Sequence, residues 1–181
     1  MLICLALQYN EFMNIDTAET RKKIETAMRQ LTKYLGDDEQ LGKPVLAHSL
    51  RVGSDLWAGG YGEDIVLAGF LHDIIEDSGV TAEQLDKSFG HNVSSIVELC
   101  TKKPSISDNL ERRREVIKRA ASTRESAIVK AADILDNYRY YSSMNLQKGI
   151  DYCRNNTSYM KEFLNDGIED QILEDLFKLL K

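Results

Sequence analysis

Proline and glycine are scarce in this chain of 181 residues, which has only 2 Pro and 11 Gly. Many short strands need frequent turn residues between them, and no segment alternates convincingly between apolar and polar residues, so the sequence disfavours an all-β domain. It also lacks an apolar run of about 18 residues, which excludes a membrane-spanning helix. Nor is there an excess of basic charge, because the formal net charge is −6. The chain therefore has no general electrostatic attraction to nucleic acid.

Cysteine is scarce as well, with Cys4, Cys100 and Cys153 far apart in the sequence. An odd number of cysteines without a C-x-x-C spacing argues against both a disulfide framework and a zinc ribbon. Free thiols in this pattern are typical of a reducing cytosol. The apolar start, residues 1–7, is too short for the hydrophobic region of a signal peptide and has no basic residues before it. We therefore expect a cytoplasmic protein.

The hydrophobic residues that are present recur at helical spacing. They make up 43% of the chain, enough for one full core, and no linker or repeat divides it. We therefore expect a single domain over residues 1–181. Capping residues and glycines mark the ends of the periodic segments. The sequence predicts an all-α fold, with helices over about residues 16–36, 44–57, 63–76, 81–88, 92–101, 108–121, 122–141, 155–165 and 168–180.

The third predicted helix is apolar on nearly every side, as expected of a central helix. Yet its C-terminal half carries four ionisable residues: His72, Asp73, Glu76 and Asp77. Burying unpaired charge costs several kcal/mol per group, on the order of the whole stability of a domain. The cluster is therefore either compensated inside the protein or the solvated end of a helix, since Ser78 and Gly79 follow directly.

Two other apolar segments repeat this pattern. His48 lies among apolar residues of the second helix, and Asp133 does so in the seventh, with Asn137 one turn after it. A shared divalent cation would explain ionisable groups in all three helices, because imidazole and carboxylate are good ligands for such ions. Two plainer interpretations stand beside it: a hydrogen-bonded core histidine at His48, and a buried tie between helices at Asp133.

The order and spacing of these residues resemble the HD-domain metal-dependent phosphohydrolases. His48 is followed after 24 residues by His72-Asp73, and after 60 more by Asp133. The segments around them, residues 69–77 and 130–139, resemble the two signature segments of the RelA/SpoT-type alarmone hydrolases, and the likeness covers roughly residues 20–180. The resemblance implies an HD-domain helical bundle with the metal site between central helices.

The same resemblance implies a role for individual residues. The ligands of one divalent ion would be His48, His72, Asp73 and Asp133. The family pattern favours Mn²⁺, and the mixed nitrogen and oxygen set is also compatible with Fe²⁺, Co²⁺ and Zn²⁺. The catalytic residues, one turn further on, would be Glu76 and Asp77, which would orient the attacking water and accept its proton. The substrate-binding candidates are Asn137, for the nucleoside sugar, and two cations that are otherwise ordinary surface residues, Lys130 and Arg139. Apart from the resemblance, Lys43 and Arg51 could supply positive charge for the phosphates.

The loop before the second helix departs from the family pattern. The alarmone hydrolases carry a basic pair where this chain has Glu39 and Gln40, directly after Asp37 and Asp38. An acidic stretch repels a substrate with several phosphates. The resemblance implies a guanosine 3′,5′-bis(diphosphate) 3′-pyrophosphohydrolase. Two alternatives stay open: a general HD nucleotidase acting on nucleoside mono- or triphosphates, and a helical regulatory module with a structural metal. In the enzyme cases the partner would be a small-molecule nucleotide.

Overall fold

The chain forms a bundle of α-helices in the computed structural model, which describes residues 17–35 and 44–181. No strand occurs in these ranges, so the predicted all-α class is confirmed. Several features named above lie outside them: the apolar start 1–7 with Cys4, the start of the first predicted helix at 16, the acidic stretch 37–40 and Lys43. The helices are α1 (Ala18–Leu35), α2 (Val45–Ala58), α3 (Glu63–Leu71), α4 (Ile74–Asp77), α5 (Ala82–Phe89), α6 (His91–Cys100), α7 (Asn109–Ala120), α8 (Arg124–Ser143), α9 (Gln147–Phe163) and α10 (Gln171–Phe177), followed by a 3₁₀ turn (Lys178–Leu180).

Some predicted boundaries are wrong for local reasons. The N-cap of α8 is Thr123 and not Ser122, because the Thr123 hydroxyl accepts a hydrogen bond from the Ser126 N–H at 3.2 Å. The α9 helix begins at Gln147, eight residues before the predicted start at 155. Its first two turns are mostly polar and contain Gly149, so apolar periodicity did not mark them.

The predicted helix over 63–76 is broken at His72 and Asp73, between α3 and α4. The His72 ring lies with Nδ1 at 2.8 Å from the Gly69 carbonyl oxygen. In an unbroken helix that carbonyl accepts the N–H of Asp73, so the histidine ring competes with the helical hydrogen bond. The break lets two consecutive side chains, His72 and Asp73, lie on the same side of the chain.

The α3 helix is the centre of the bundle and packs against α1, α2, α6 and α8. It lies very close to α2 because both helices have a glycine where they meet. A Cβ atom on Gly53 would lie 2.3 Å from the Phe70 ring, and one on Gly69 would lie 2.4 Å from Leu56. This contact brings the second and third predicted helices together where they carry their histidines. None of the described helices is both long enough and apolar enough to cross a membrane.

Candidate metal centre and cavity

Three helical segments place their ionisable side chains around one point. His48 comes from α2, His72 and Asp73 come from the break after α3, and Asp133 comes from α8. His48 Nε2 lies 3.2 Å from His72 Nε2 and 3.1 Å from Asp133 Oδ1. Asp73 Oδ2 lies 3.3 Å from His72 Nε2 and 3.8 Å from His48 Nε2. The structure therefore brings all four predicted ligands together.

The far side of each imidazole fixes which nitrogen carries the proton. His72 Nδ1 faces the Gly69 carbonyl, which can only accept, and His48 Nδ1 lies 2.6 Å from a carboxylate oxygen of Asp136. Both Nδ1 atoms therefore donate, and in the neutral rings both Nε2 atoms carry lone pairs. Two lone pairs that face each other and two carboxylates repel one another unless a cation lies between them.

The spacing of these donor atoms fits a single ion. Ligand atoms about 2.1 Å from a common ion lie about 3.0 Å apart at a right angle and about 4.2 Å apart when opposite. The distance between the two Nε2 atoms, and those from each Nε2 to the nearest oxygens of Asp73 and Asp133, run from 3.1 to 3.8 Å. His48, His72 and Asp133 are also buried, so water does not separate them. The residues present can hold one divalent cation.

Asp136 contacts His48 of this cluster from outside, a role that the sequence pattern did not show. Its carboxylate is 2% exposed and accepts the two parallel hydrogen bonds of Arg51, from Nε at 2.8 Å and from Nη2 at 2.9 Å. Burial alone raises the pKa of Asp136, but the hydrogen bonds from His48 and Arg51 outweigh it and lower the pKa to about 2. The charged carboxylate orients His48. Asp136 lies in the signature segment three residues after Asp133, on the same face of α8, which is the signal that could have found it.

A cavity of about 430 Å³ opens beside the cluster. Its lining contains four carboxylates and two ammonium groups, and this excess of negative charge favours a divalent cation. Both predicted catalytic residues, Glu76 and Asp77, are among the lining residues. Glu76 Oε1 accepts the backbone N–H of Lys102 at 2.6 Å, and Oε2 accepts its Nζ at 2.8 Å. The complete lining is Val45, Asp73, Glu76, Asp77, Lys102, Lys130, Asp133, Ile134, Asn137, Tyr141, Tyr152, Cys153 and Asn156.

Lys130 and Asn137 flank Asp133 on α8 and line the cavity. Lys130 is 5% exposed, and its Nζ lies 2.7 Å from Asp133 Oδ2. Burial raises the pKa of Asp133, but Lys130 and the two histidines outweigh burial and hold it well below its usual range. Asn137 Nδ2 donates to the other oxygen, Oδ1, at 2.5 Å and to the Asp133 carbonyl at 3.0 Å. Both oxygens of this carboxylate are thus held from within α8.

Two predicted substrate-binding cations lie elsewhere. Arg51 is bound to Asp136 and Arg139 to Asp55, and neither lines the cavity. Each guanidinium has a nearer carboxylate on a facing helix, which the sequence pattern did not show. The cation that does lie at the cavity, besides Lys130, is Lys102. The sequence pattern also gave no sign of the α9 wall, which is formed by Tyr152, Cys153 and Asn156. Tyr152 and Cys153 precede the predicted start of that helix at 155.

The fold and the buried histidine and aspartate cluster define a helical protein with a candidate site for one metal ion. A family model described as HD domain matches residues 24–154, which is more than half of the chain. The chain therefore belongs to the HD domain family, as the sequence resemblance predicted.

Individual relatives agree with this placement. A probable guanosine-3′,5′-bis(diphosphate) 3′-pyrophosphohydrolase of Synechocystis is 34% identical over 113 residues, which are 59% of this chain and 15% of the relative. The corresponding enzyme MESH1 of Drosophila melanogaster is 32% identical over 77 residues, or 42% of this chain and 43% of that protein. The chain thus covers less than half the length of these curated relatives. A metazoan orthologue of SpoT shares the fold, with a TM-score of 0.68 at 22% identity over 86% of this chain and 94% of that one.

Proposed function

We propose that this protein is a metal-dependent phosphohydrolase that removes pyrophosphate from the 3′ position of guanosine 3′,5′-bis(diphosphate). The observation that carries the proposal is the pair of imidazole Nε2 atoms 3.2 Å apart, both turned towards two carboxylates beside a cavity. The substrate comes from the relatives, because the Synechocystis and Drosophila proteins bear the name of this activity.

The metal ligands would be His48, His72, Asp73 and Asp133, and Mn²⁺ is the ion we expect. A bound divalent ion lowers the pKa of water and polarises a phosphoryl oxygen. Asp136 would keep His48 in the binding tautomer through its 2.6 Å contact with Nδ1. Lys130 and Asn137 would hold the Asp133 carboxylate in position through their contacts with its two oxygens.

Glu76 and Asp77 would act on the attacking water. Both line the cavity next to Asp73, where a carboxylate can orient a water molecule and accept its proton. Lys102 holds Glu76 through two hydrogen bonds of 2.6 and 2.8 Å, one to each oxygen. Each carboxylate oxygen has a second lone pair, so Glu76 can accept a further hydrogen bond while its orientation stays fixed.

The substrate would lie against the remaining wall of the cavity. Lys102 and Lys130 would attract the phosphates, and Asn137 would bind the nucleoside sugar. We further propose a cytoplasmic location, a small-molecule nucleotide as the partner, and a single domain over residues 1–181.

The acidic stretch Asp37–Gln40 favours a second candidate, a general nucleotidase that acts on nucleoside mono- or triphosphates. A basic pair at this position would attract the tetraphosphate of an alarmone, and this chain has Glu39 and Gln40 instead. A nucleotide with fewer phosphates is repelled less by the acidic stretch. The two candidates share the metal centre and differ in the nucleotide and in the phosphate group that is released.

One assay separates these activities. The purified protein, loaded with Mn²⁺, is incubated with guanosine 3′,5′-bis(diphosphate), GTP, deoxynucleoside triphosphates and nucleoside monophosphates, and the products are resolved by chromatography. Release of pyrophosphate from the first substrate supports the main proposal, and orthophosphate from monophosphates or triphosphate from deoxynucleotides supports the second. No turnover of any of them by metal-loaded protein contradicts both and favours a structural metal.

Two variants test the assigned roles. Asp73→Ala should lose both the metal and the activity. Glu76→Gln should keep the metal and lose activity by about 10²-fold or more, because a general base contributes about 10²–10⁴-fold. Glu83→Gln, on the exposed surface of α5, is the matched control and should behave as the parent protein. A fully active Glu76→Gln protein would show that Glu76 does not handle the water.

A further inference from the structure

Asn156 is a buried polar residue of the cavity wall that the proposed mechanism does not use. Its side chain is 3% exposed and lines the cavity, and its amide oxygen Oδ1 has no hydrogen-bond partner among the described residues. More than nine in ten buried polar groups are paired, so an unpaired amide oxygen in a cavity wall indicates a missing ligand atom.

Two contacts fix the level at which Asn156 faces α8. The α8 and α9 helices are antiparallel neighbours, and at the turn between them Gly149 packs against the Tyr141 ring, where an added Cβ would lie 2.3 Å from it. At the other end, Asn165 Nδ2 donates to the Ser122 carbonyl at 2.9 Å. Both helices rise by the same distance per residue. Between these two contacts, Asn156 therefore lies level with Asp133. The unpaired oxygen therefore belongs to the part of the cavity next to the metal centre.

The chemistry of an amide oxygen restricts what it can bind. It accepts hydrogen bonds and cannot donate, and ionised phosphate oxygens also only accept, so the two do not bond to each other. In a nucleoside 3′-pyrophosphate, the hydrogen-bond donor closest to the scissile bond is the 2′-hydroxyl, which is on the neighbouring carbon of the ribose. A substrate whose 3′-phosphoryl group lies at the metal centre brings this hydroxyl to the level of Asp133.

We propose that Asn156 Oδ1 accepts a hydrogen bond from the 2′-hydroxyl of the substrate and thereby selects ribonucleotides over 2′-deoxyribonucleotides. The proposal rests on the proposed function for the position of the scissile bond. Asn137, which would also bind the sugar, does so from α8, and its Nδ2 is already held by Asp133. A buried acceptor that is paired only when the correct substrate is bound gives strong discrimination against an analogue that lacks the donor.

The test compares two substrates in each of several variants. The parent enzyme should hydrolyse guanosine 3′,5′-bis(diphosphate) with a kcat/KM about 10-fold or more above that of its 2′-deoxy analogue. Asn156→Ala should reduce this ratio to about 1 by slowing the ribose substrate only. Asn156→Asp keeps an acceptor oxygen and adds a negative charge. It should therefore lower kcat/KM for both substrates and keep the ratio between them. Asn155→Ala, at the exposed neighbouring position on α9, is the matched control and should keep the parent ratio.

A binding measurement separates this proposal from the proposed activity. Guanosine 3′-monophosphate and 2′-deoxyguanosine 3′-monophosphate are titrated into the Mn²⁺-loaded parent and Asn156→Ala proteins by calorimetry. Tighter binding of the ribonucleotide by the parent alone supports the role of Asn156, even if no hydrolysis of the tetraphosphate is found. Equal binding of both nucleotides by the parent, or an unchanged preference in Asn156→Ala, overturns it. If Asn156 had a purely structural role, Asn156→Ala would bind both nucleotides more weakly by the same factor. This outcome also counts against the proposal.

Discussion

Replacing Asp136 by Asn should weaken metal binding although Asp136 does not face the proposed ion. The Asp136 carboxylate is 2% exposed and receives the Nδ1–H of His48 at 2.6 Å. The isosteric amide has no charge, and it can turn its NH₂ group towards the imidazole. That orientation favours a proton on Nε2, the nitrogen that points to His72 and has to be unprotonated to bind a cation.

The size of this effect follows from the contacts that are lost. Changes in partners of metal-binding histidines reduce metal affinity by about 10–100-fold, which corresponds to about 1.4–2.8 kcal/mol. We expect Asp136→Asn to fall in the upper half of this range, because it also removes the charge that binds the Arg51 guanidinium at 2.8 and 2.9 Å. A guanidinium left near the centre without its carboxylate adds repulsion to a dication.

The measurement is a calorimetric titration of Mn²⁺ into the metal-free protein. Asp55→Asn is the matched control, since Asp55 is also a carboxylate bound to an arginine of a facing helix, but it is 51% exposed and lies outside the cluster. It should bind Mn²⁺ as the parent does. An Asp136→Asn protein that is folded and binds Mn²⁺ with the parent affinity would refute the argument that His48 depends on Asp136 for its tautomer.

Three further predictions concern stability. Gly53→Ala places a Cβ 2.3 Å from the Phe70 ring and should lower the free energy of unfolding by about 1–3 kcal/mol in denaturant melts, whereas Gly79→Ala, where a Cβ meets nothing within 4 Å, should not. Burial raises the pKa of Glu63, but hydrogen bonds led by that from Lys23 outweigh it and lower the pKa, so this pair stabilises the fold above the ordinary carboxyl pKa. That stability is lost as pH falls through the lowered pKa. In Lys23→Met, the free energy of unfolding should therefore depend less on pH between about pH 5 and pH 2, and an unchanged pH profile would contradict this. Mn²⁺ at about 100 times its Kd should add about 2.7 kcal/mol of stability, which a chelator should abolish without loss of helical content; melting unaffected by Mn²⁺ would contradict a bound ion.

The sequence predicted the all-α fold, and for a physical reason it offered a shared cation as one interpretation of His48, His72 and Asp133. Burying an ionisable residue inside an apolar helix costs free energy unless a partner compensates its charge. Three such residues therefore indicate a shared partner. The choice of His48, His72, Asp73 and Asp133 as metal ligands came from the family resemblance, because the residues alone also allowed a core histidine and a buried tie between helices. These signals are local, because the apolar surroundings of each residue can be read from its own helix.

The partners of these residues could not be predicted in the same way. His48 and Asp136 are 88 residues apart, and their contact depends on how closely α2 approaches α8. Arg51 was expected to bind substrate because a cation near a phosphate site is useful there, but an exposed arginine binds the nearest carboxylate that the packing offers. Asn156 escaped notice because a buried asparagine is identified only by a missing hydrogen bond, and a sequence does not show hydrogen bonds.

The supporting contacts explain how a site with so much negative charge can exist inside the core. Asp136 is held by Arg51, and Asp133 is held by Lys130 and Asn137, so two of the buried carboxylates have partners other than the candidate metal ligands. Those partners offset desolvation and fix the side-chain orientations before any ion arrives. The two Nε2 atoms lie 3.2 Å apart with their lone pairs facing each other, because each ring already uses Nδ1 as its donor. The repulsion that remains among the donor atoms of the cluster favours the binding of a cation there.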